Sequence, residues 1–271
     1  MTTSTQWHLA REAAERYQEI LVPAILGPAA QALVESTPIE LGSIVLDVGC
    51  GTGAAARYAA ARVGETGRVV GIDVNAAMIA VAQSLPPIEA VRIEWQEQSA
   101  YQLPLGDEIV DVVLCAQTLQ FLSERPLALA EMRRVLRPGG RLALGLWCAL
   151  AENPYFHTLV GAIAQHIAPE TARGLNAAFG LSAAEEIRAL LTDAGFGNVE
   201  MSVRQLDIDL PELPEFVPRH ISATPMVTGF NAATPMAQQT VIAQVAGQLA
   251  PYQNGSGVRV PFRTHIVQAI K

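Results

Sequence analysis

Three glycines at alternate positions, Gly49, Gly51 and Gly53, are followed by an acid twenty residues on, Asp73, a spacing able to hold a nucleoside. Ile44–Val48 is an apolar run, the glycines interrupt it, and Ala54–Arg62 favours helix, so the stretch reads as strand, glycine turn, helix. Glycine has no Cβ, which admits positive φ and lets a ligand approach the main chain. Free N–H groups of the first helical turn suit a carboxylate or a phosphate. A second apolar run, Val69-Val70-Gly71-Ile72, ends at Asp73, whose carboxylate can accept from two ribose hydroxyls. The pair predicts an adenosine-containing ligand. Gly49-x-Gly51-x-x-Ala54 also fits a dinucleotide fingerprint, so a nicotinamide cofactor is a rival. Asp47 sits two positions before the first glycine and either ties the turn together or faces an ammonium group. It would repel a pyrophosphate but not an amino acid moiety.

Leu46-Asp47-Val48-Gly49-Cys50-Gly51-Thr52-Gly53, followed by Gly71-Ile72-Asp73-Val74-Asn75, resembles the first motif and acidic strand end of the class I S-adenosylmethionine-dependent methyltransferases. The resemblance implies an α/β fold with a Rossmann-like, seven-stranded, mostly parallel sheet, an antiparallel C-terminal strand and helical lid insertions. It implies S-adenosyl-L-methionine as cofactor, S-adenosyl-L-homocysteine as product, and methyl transfer to a small-molecule acceptor. On this basis Asp47, Gly49, Gly51 and Gly53 face the amino acid end, and Asp73 and Val74 the ribose. Tyr17 either contacts the methionine end or belongs to an apolar helical stripe, and Met78 faces the ligand. Ser99-Ala100-Tyr101-Gln102-Leu103-Pro104-Leu105 stands where the family usually has an acid accepting from the adenine amino group. Here Ser99 and the Ala100 N–H take that place, and weaker adenine selection is expected. Asp111–Gln117 and Arg133–Gly140 resemble the ubiquinone/menaquinone-type small-molecule branch, adding Cys115 and Gln117 to the cofactor contacts. Asp111 and Arg133 are read as structural.

The elements that must position these residues alternate strand and helix from Ile44 to Trp147, as in a parallel sheet. Strands are expected at 44–48, 68–73, 91–96, 110–115 and 141–147. Asn75 is expected to cap a helix through Gln83, and Ser123 one running to Leu136. Trp7, Leu9, Ala10, Ala13, Tyr17, Ile20 and Leu21 recur at helical intervals until Pro23, with a second helix from Pro28 to Glu35. Beyond Trp147, helices are expected at 153–168 and 182–194, joined by a glycine-interrupted link at 169–181. Val199–Leu210 and Val258–Ile270 alternate as strands, and helices are expected near 214–222 and 234–250. The chain is thus one domain over 1–271: an N-terminal helical cap (1–40), a cofactor core (41–150), lid insertions (151–181 and 211–253), and the C-terminal part of the sheet (182–210 and 254–271).

The chain has 271 residues, half of them hydrophobic and 16% charged, enough for a sizeable globular core. Its 18 basic and 26 acidic residues leave a net charge of −8, which argues against nucleic acid as a partner. Three cysteines without CxxC spacing indicate neither a disulfide framework nor a zinc site, and no metal is expected. No apolar stretch approaches the roughly 20 residues of a membrane span. A cytoplasmic monomer or homodimer acting on a small molecule is expected.

A sulfonium methyl is already activated, so the protein's task is alignment and exclusion of water. If the acceptor is a hydroxyl or amine, a base is needed, and the candidates are His8, His157, His166 and His220. His157 and His220 fall in the expected lid and are named as catalytic. Their plain alternative is packing. Two further functions stay open: a nicotinamide-dependent oxidoreductase, and a cofactor-binding protein of this fold that moves no methyl group.

Overall fold

The computed structural model describes residues 10–88 and 91–271; Trp7, His8 and Leu9 lie outside them. The strands are β1 (Ile44–Val48), β2 (Arg68–Asp73), β3 (Ile93–Glu97), β4 (Val110–Ala116), β5 (Leu136–Trp147), β6 (Gly197–Leu210), the two-residue β7 (Gln253–Asn254) and β8 (Gly257–Ile270). They form one sheet in the order β3-β2-β1-β4-β5-β8-β6, with β7 paired to β8. Pairings from β3 to β5 are parallel, and β8 runs antiparallel to both β5 and β6. Val45, Leu46, Asp47 and Val48 are all buried, as a central strand covered on both faces requires. The chain leaves β1 toward β2 and β3, then returns on β1's other side as β4, so the order reverses between β1 and β4. Ligands bind at such a reversal, beyond the carboxyl ends of the strands.

The helices on the sheet are α2 (Gly27–Ser36), α3 (Ala54–Val63), α4 (Ala76–Ser84) and α5 (Arg125–Val135), while α1 (Arg11–Arg16) packs its Ala14 against Met78 and Val81 of α4. Buried Ala55, Ala56, Ala59 and Ala60 let α3 approach the sheet closely. Asn75 caps α4 by accepting from the Ala77 N–H at 2.9 Å. Asp111 accepts from the Ile44 N–H at 2.6 Å and Arg133 donates to the Gly195 carbonyl at 3.0 Å, so both hold the scaffold.

Pro23 does not end the first helix. Between α1 and α2 the chain continues as a π-helix, Tyr17–Leu26, with Pro23 inside it and the Gly27 N–H reaching the Val22 carbonyl. The wider turn accommodates a residue that lacks an N–H and crowds the preceding turn. Gly27 completes the arrangement, because a Cβ there would lie 2.6 Å from the Val22 oxygen. Ser123 does not cap α5, which starts after Glu124; its hydroxyl lies 3.2 Å from that of Tyr101.

The remaining helices are α6 (Pro154–His166), α7 (Pro169–Asn176), α8 (Ala184–Asp193), α9 (Leu213–Ser222), α10 (Val227–Ala232) and α11 (Pro235–Gln248). The expected link at 169–181 is therefore mostly helical, with Ala172, Leu175, Ala178 and Phe179 buried, and α10 is additional. Helices α6, α7, α9 and α11 share one apolar cluster with the π-helical segment and with Ile208, Val260 and Phe262 of β6 and β8. The long C-terminal strands thus carry a helical layer out over the carboxyl edge of the sheet.

Candidate active site

The glycine turn has φ of +69° at Gly49, +55° at Gly51 and +95° at Gly53, all in the left-handed region that favours glycine. Gly49 and Gly51 line a cavity at the carboxyl edge of the sheet; Gly53 does not. A Cβ on Gly53 would lie 2.2 Å from the Trp95 ring, so its missing side chain makes room for packing from β3 and not for a ligand. Asp47 also lies outside the cavity. It is 1% exposed, and its Oδ2 accepts from the Ala56 N–H at 2.9 Å. The chain's own carboxylate therefore takes one of the first-turn N–H groups that the sequence offered to a bound anion. Burial pushes Asp47 up to about 7, the Ala56 N–H opposes this, and the nearby charge of Asp73 adds to it.

Asp73 does line the cavity. Its Oδ2 accepts from the Gly51 N–H at 2.9 Å and its Oδ1 from the Asn75 N–H at 2.8 Å, tying the glycine turn to the start of α4. A carboxylate accepts about four hydrogen bonds, so these two do not preclude ribose hydroxyls. Val74, Met78 and Tyr17 line the same end. The Tyr17 hydroxyl would lie 3.6 Å from a Cβ on Gly51, and the residue also packs against the apolar clusters, so both readings of it apply. Burial foremost, then the acids and Cys50 around it, raise the Tyr17 phenol and keep it protonated. Ser99 and Ala100 form the next stretch of wall, the Ser99 hydroxyl accepting from the Tyr101 N–H at 3.2 Å.

At the end of β4, Gln117 lines the cavity with a φ of +52°, unusual for a residue with a side chain. Its amide is oriented by its neighbours. The Trp147 N–H can only donate, and it reaches Gln117 Oε1 at 3.1 Å; the Gln117 amino group donates to Thr264 at 3.3 Å. Gln120 donates to the same Oε1 at 3.1 Å. Cys115, two residues before Gln117, is wholly buried inside β4 and is not among the residues lining this cavity; burial first, then the charge of Asp47, pushes its thiol up to about 12. Small buried cysteines of this kind are inert.

The two histidines separate. His157 lies on the exposed face of α6 and away from the cavity, although its neighbour Phe156 lines it. Successive helical residues point about 100° apart, so one position decides between solvent and site. His220 on α9 is 2% exposed and lines the cavity, its Nδ1 3.0 Å from the Tyr155 hydroxyl. Burial holds its pKa down at about 3, far from the operating range of a general base. Gln120, Phe121, Trp147 and Phe156 also line the cavity and were not singled out from the sequence. For the first three, a signal existed: Trp147 ends β5, and Gln120 and Phe121 follow the carboxyl end of β4. Among the described residues no group of three His, Cys, Asp or Glu side chains could hold a metal ion, and no helix is long and apolar enough to cross a membrane.

Residues 46–144 match the family described as a methyltransferase domain. The chain is 31% identical over 172 residues to the ubiquinone/menaquinone biosynthesis C-methyltransferase UbiE of Chromobacterium violaceum, covering 60% of this chain and 70% of that protein. This chain belongs to the S-adenosylmethionine-dependent methyltransferases. An arsenite methyltransferase of Halobacterium salinarum is 32% identical over 59% of this chain and 39% of its own length. The chain spans about half the length of most of the first curated relatives it matches. Among solved structures, a methyltransferase of Thermotoga maritima, described as a possible histamine N-methyltransferase, superposes with a TM-score of 0.57 over 98% of this chain and 99% of that one at 17% identity. That likeness shows the fold.

Proposed function

We propose that this protein transfers the methyl group of S-adenosylmethionine to a small-molecule acceptor by in-line displacement. One observation carries the reading: a single cavity joins the glycine turn and Asp73 to an apolar chamber under the helical layer, across the carboxyl ends of β1, β2, β4 and β5. The residues present fit the cofactor. Gly51 offers a backbone cradle beside Tyr17, Asp73 suits the ribose, Val74 and Met78 flank it, and Ser99 with Ala100 suits the adenine edge. The Gly53 and Asp47 contributions are indirect, since they shape the turn from beneath.

When bound, S-adenosylmethionine supplies a methyl carbon already activated by sulfonium charge. The chain's part is to align and to exclude water. Leu21 and Ile25 of the π-helix, Phe121, Trp147 and Phe156 supply apolar walls for this. Such a chamber favours loss of charge at the reacting centre over its retention. Burial holds His220, the histidine in this chamber, down at about 3, and His157 lies outside the cavity. The acceptor is a small molecule, as the names of the arsenite and quinone-pathway relatives also suggest. Buried free Cys50, Cys115 and Cys148 fit a reducing compartment such as the cytoplasm. The net charge of −8 argues against a nucleic-acid partner, and a monomer or homodimer is the proposed working unit.

Thermal melts test the cofactor. S-adenosylhomocysteine at 100 times its Kd should raise the midpoint by about 5–10 °C, while NAD leaves it unchanged. Asp73→Ala should weaken that binding about 100-fold or more. Stabilisation by NAD in place of the nucleoside would revive the oxidoreductase alternative; binding without donor consumption over a broad acceptor panel would favour the non-methylating one.

A further inference from the structure

The chamber under the helical layer has a chemical character of its own. Asp73, at the cofactor end, is the only carboxylate, ammonium or guanidinium side chain among the described residues lining the cavity. A charged acceptor at the far end would be buried without a counter-charge, at a cost of several kcal/mol or more. What the far end does present is His220, flanked by Phe156 edge-on at 6.1 Å and 83°.

The tautomer of His220 follows from its partner. Tyr155 is 0% exposed, and the only hydrogen bond its hydroxyl makes among the described residues is to His220 Nδ1 at 3.0 Å. If Nδ1 carried the proton and donated to the tyrosine, the tyrosine hydrogen would be left buried with no acceptor, which costs about 1–3 kcal/mol. The phenol therefore donates, Nδ1 accepts, and the imidazole proton sits on Nε2. Burial alone holds the ring neutral, with no charged neighbour contributing. Nδ1 being engaged, the ring offers the cavity an N–H donor at Nε2 and no lone pair.

We propose that this chamber takes an uncharged, largely apolar acceptor molecule carrying a carbonyl-type oxygen, which His220 holds through Nε2–H while Tyr155 fixes the ring. His220 is then a substrate-orienting residue and not a base. The inference rests on the methyltransferase reading for the word acceptor, but its geometry is independent of the cofactor.

Long-range 1H–15N spectra of the histidine-labelled protein test the donor directly. His220 should show the neutral Nε2–H tautomer throughout pH 6–8, and Tyr155→Phe should lose that preference. An Nδ1–H tautomer or an imidazolium overturns the proposal. A matched pair of probes tests the chamber: 1-tetralone should shift the His220 Nε2 resonance and bind about 10-fold more tightly than tetralin, the hydrocarbon of the same shape. An equal response, or none to either, overturns it. His220→Gln, which keeps an N–H donor, should retain the preference for the ketone, and His220→Phe should abolish it; the same behaviour in both variants speaks against it. Titration with S-adenosylhomocysteine, run separately, reports on the methyltransferase reading, so a protein that binds that nucleoside yet treats the two probes alike defeats this inference alone.

Discussion

Asp47 makes a prediction whose size can be worked out in advance. Its carboxyl group is fully buried, one oxygen accepts from the Ala56 N–H, and the other, Oδ1, has no partner among the described residues. Its pKa rises from 3.8 to about 7. The folded state therefore holds the proton more tightly than the unfolded chain does. Stability linked to this group is present in full below pH 4 and is lost as pH rises to 7. About three pKa units correspond to roughly 4 kcal/mol. Asp47→Asn keeps an oxygen for the Ala56 N–H and removes the titration. Urea melts of both proteins at pH 4, 5.5 and 8 read the effect as a difference, in which the other carboxylates cancel. The variant should match or trail the parent at pH 4 and exceed it by about 3–4 kcal/mol at pH 8. A difference that stays flat within about 0.5 kcal/mol across this range would refute the assignment of Asp47 as a buried carboxyl group protonated up to near neutral pH.

Gly53→Ala should destabilise by about 1–3 kcal/mol in denaturant melts, because its Cβ would meet the Trp95 ring at 2.2 Å from a backbone at φ +95°. Gly106→Ala, where no atom of the described residues lies within 4 Å of the added Cβ, should change stability little in the same assay. Gln117→Ala removes the acceptor for the Trp147 N–H and the Gln120 amide, and should cost about 1–3 kcal/mol while weakening S-adenosylhomocysteine binding by calorimetry. Arg134 bonds the carbonyls of Leu103 and Leu105, and its partner Glu131 accepts from the Leu103 N–H at 2.8 Å. Arg134→Gln should therefore raise amide hydrogen exchange over 103–107 without touching that of β1.

The strand–turn–helix at Ile44–Val63, the end of β2 at Asp73 and the Asn75 cap were all legible from the sequence, because each depends on residues within a few positions of one another. Alternation, glycine at positive φ and a side-chain cap are local physics, and alternation also marked β6 and β8 as strands, while their antiparallel place in the sheet came only from the family resemblance. The family motif added the cofactor end of the cavity. Which way a side chain faces was decided elsewhere. Gly53 makes room for Trp95, 42 residues away, and Asp47 turns under the loop to the Ala56 N–H. Pro23 sits inside a helix whose π turn lets it pass, which no rule about isolated helices supplies. His157 and His220 looked alike in the sequence, yet α6 shows solvent the first while α9 buries the second against Tyr155. Local periodicity determines that an element exists; only the packing of distant elements determines its rotation, and the rotation chooses which residues meet the ligand.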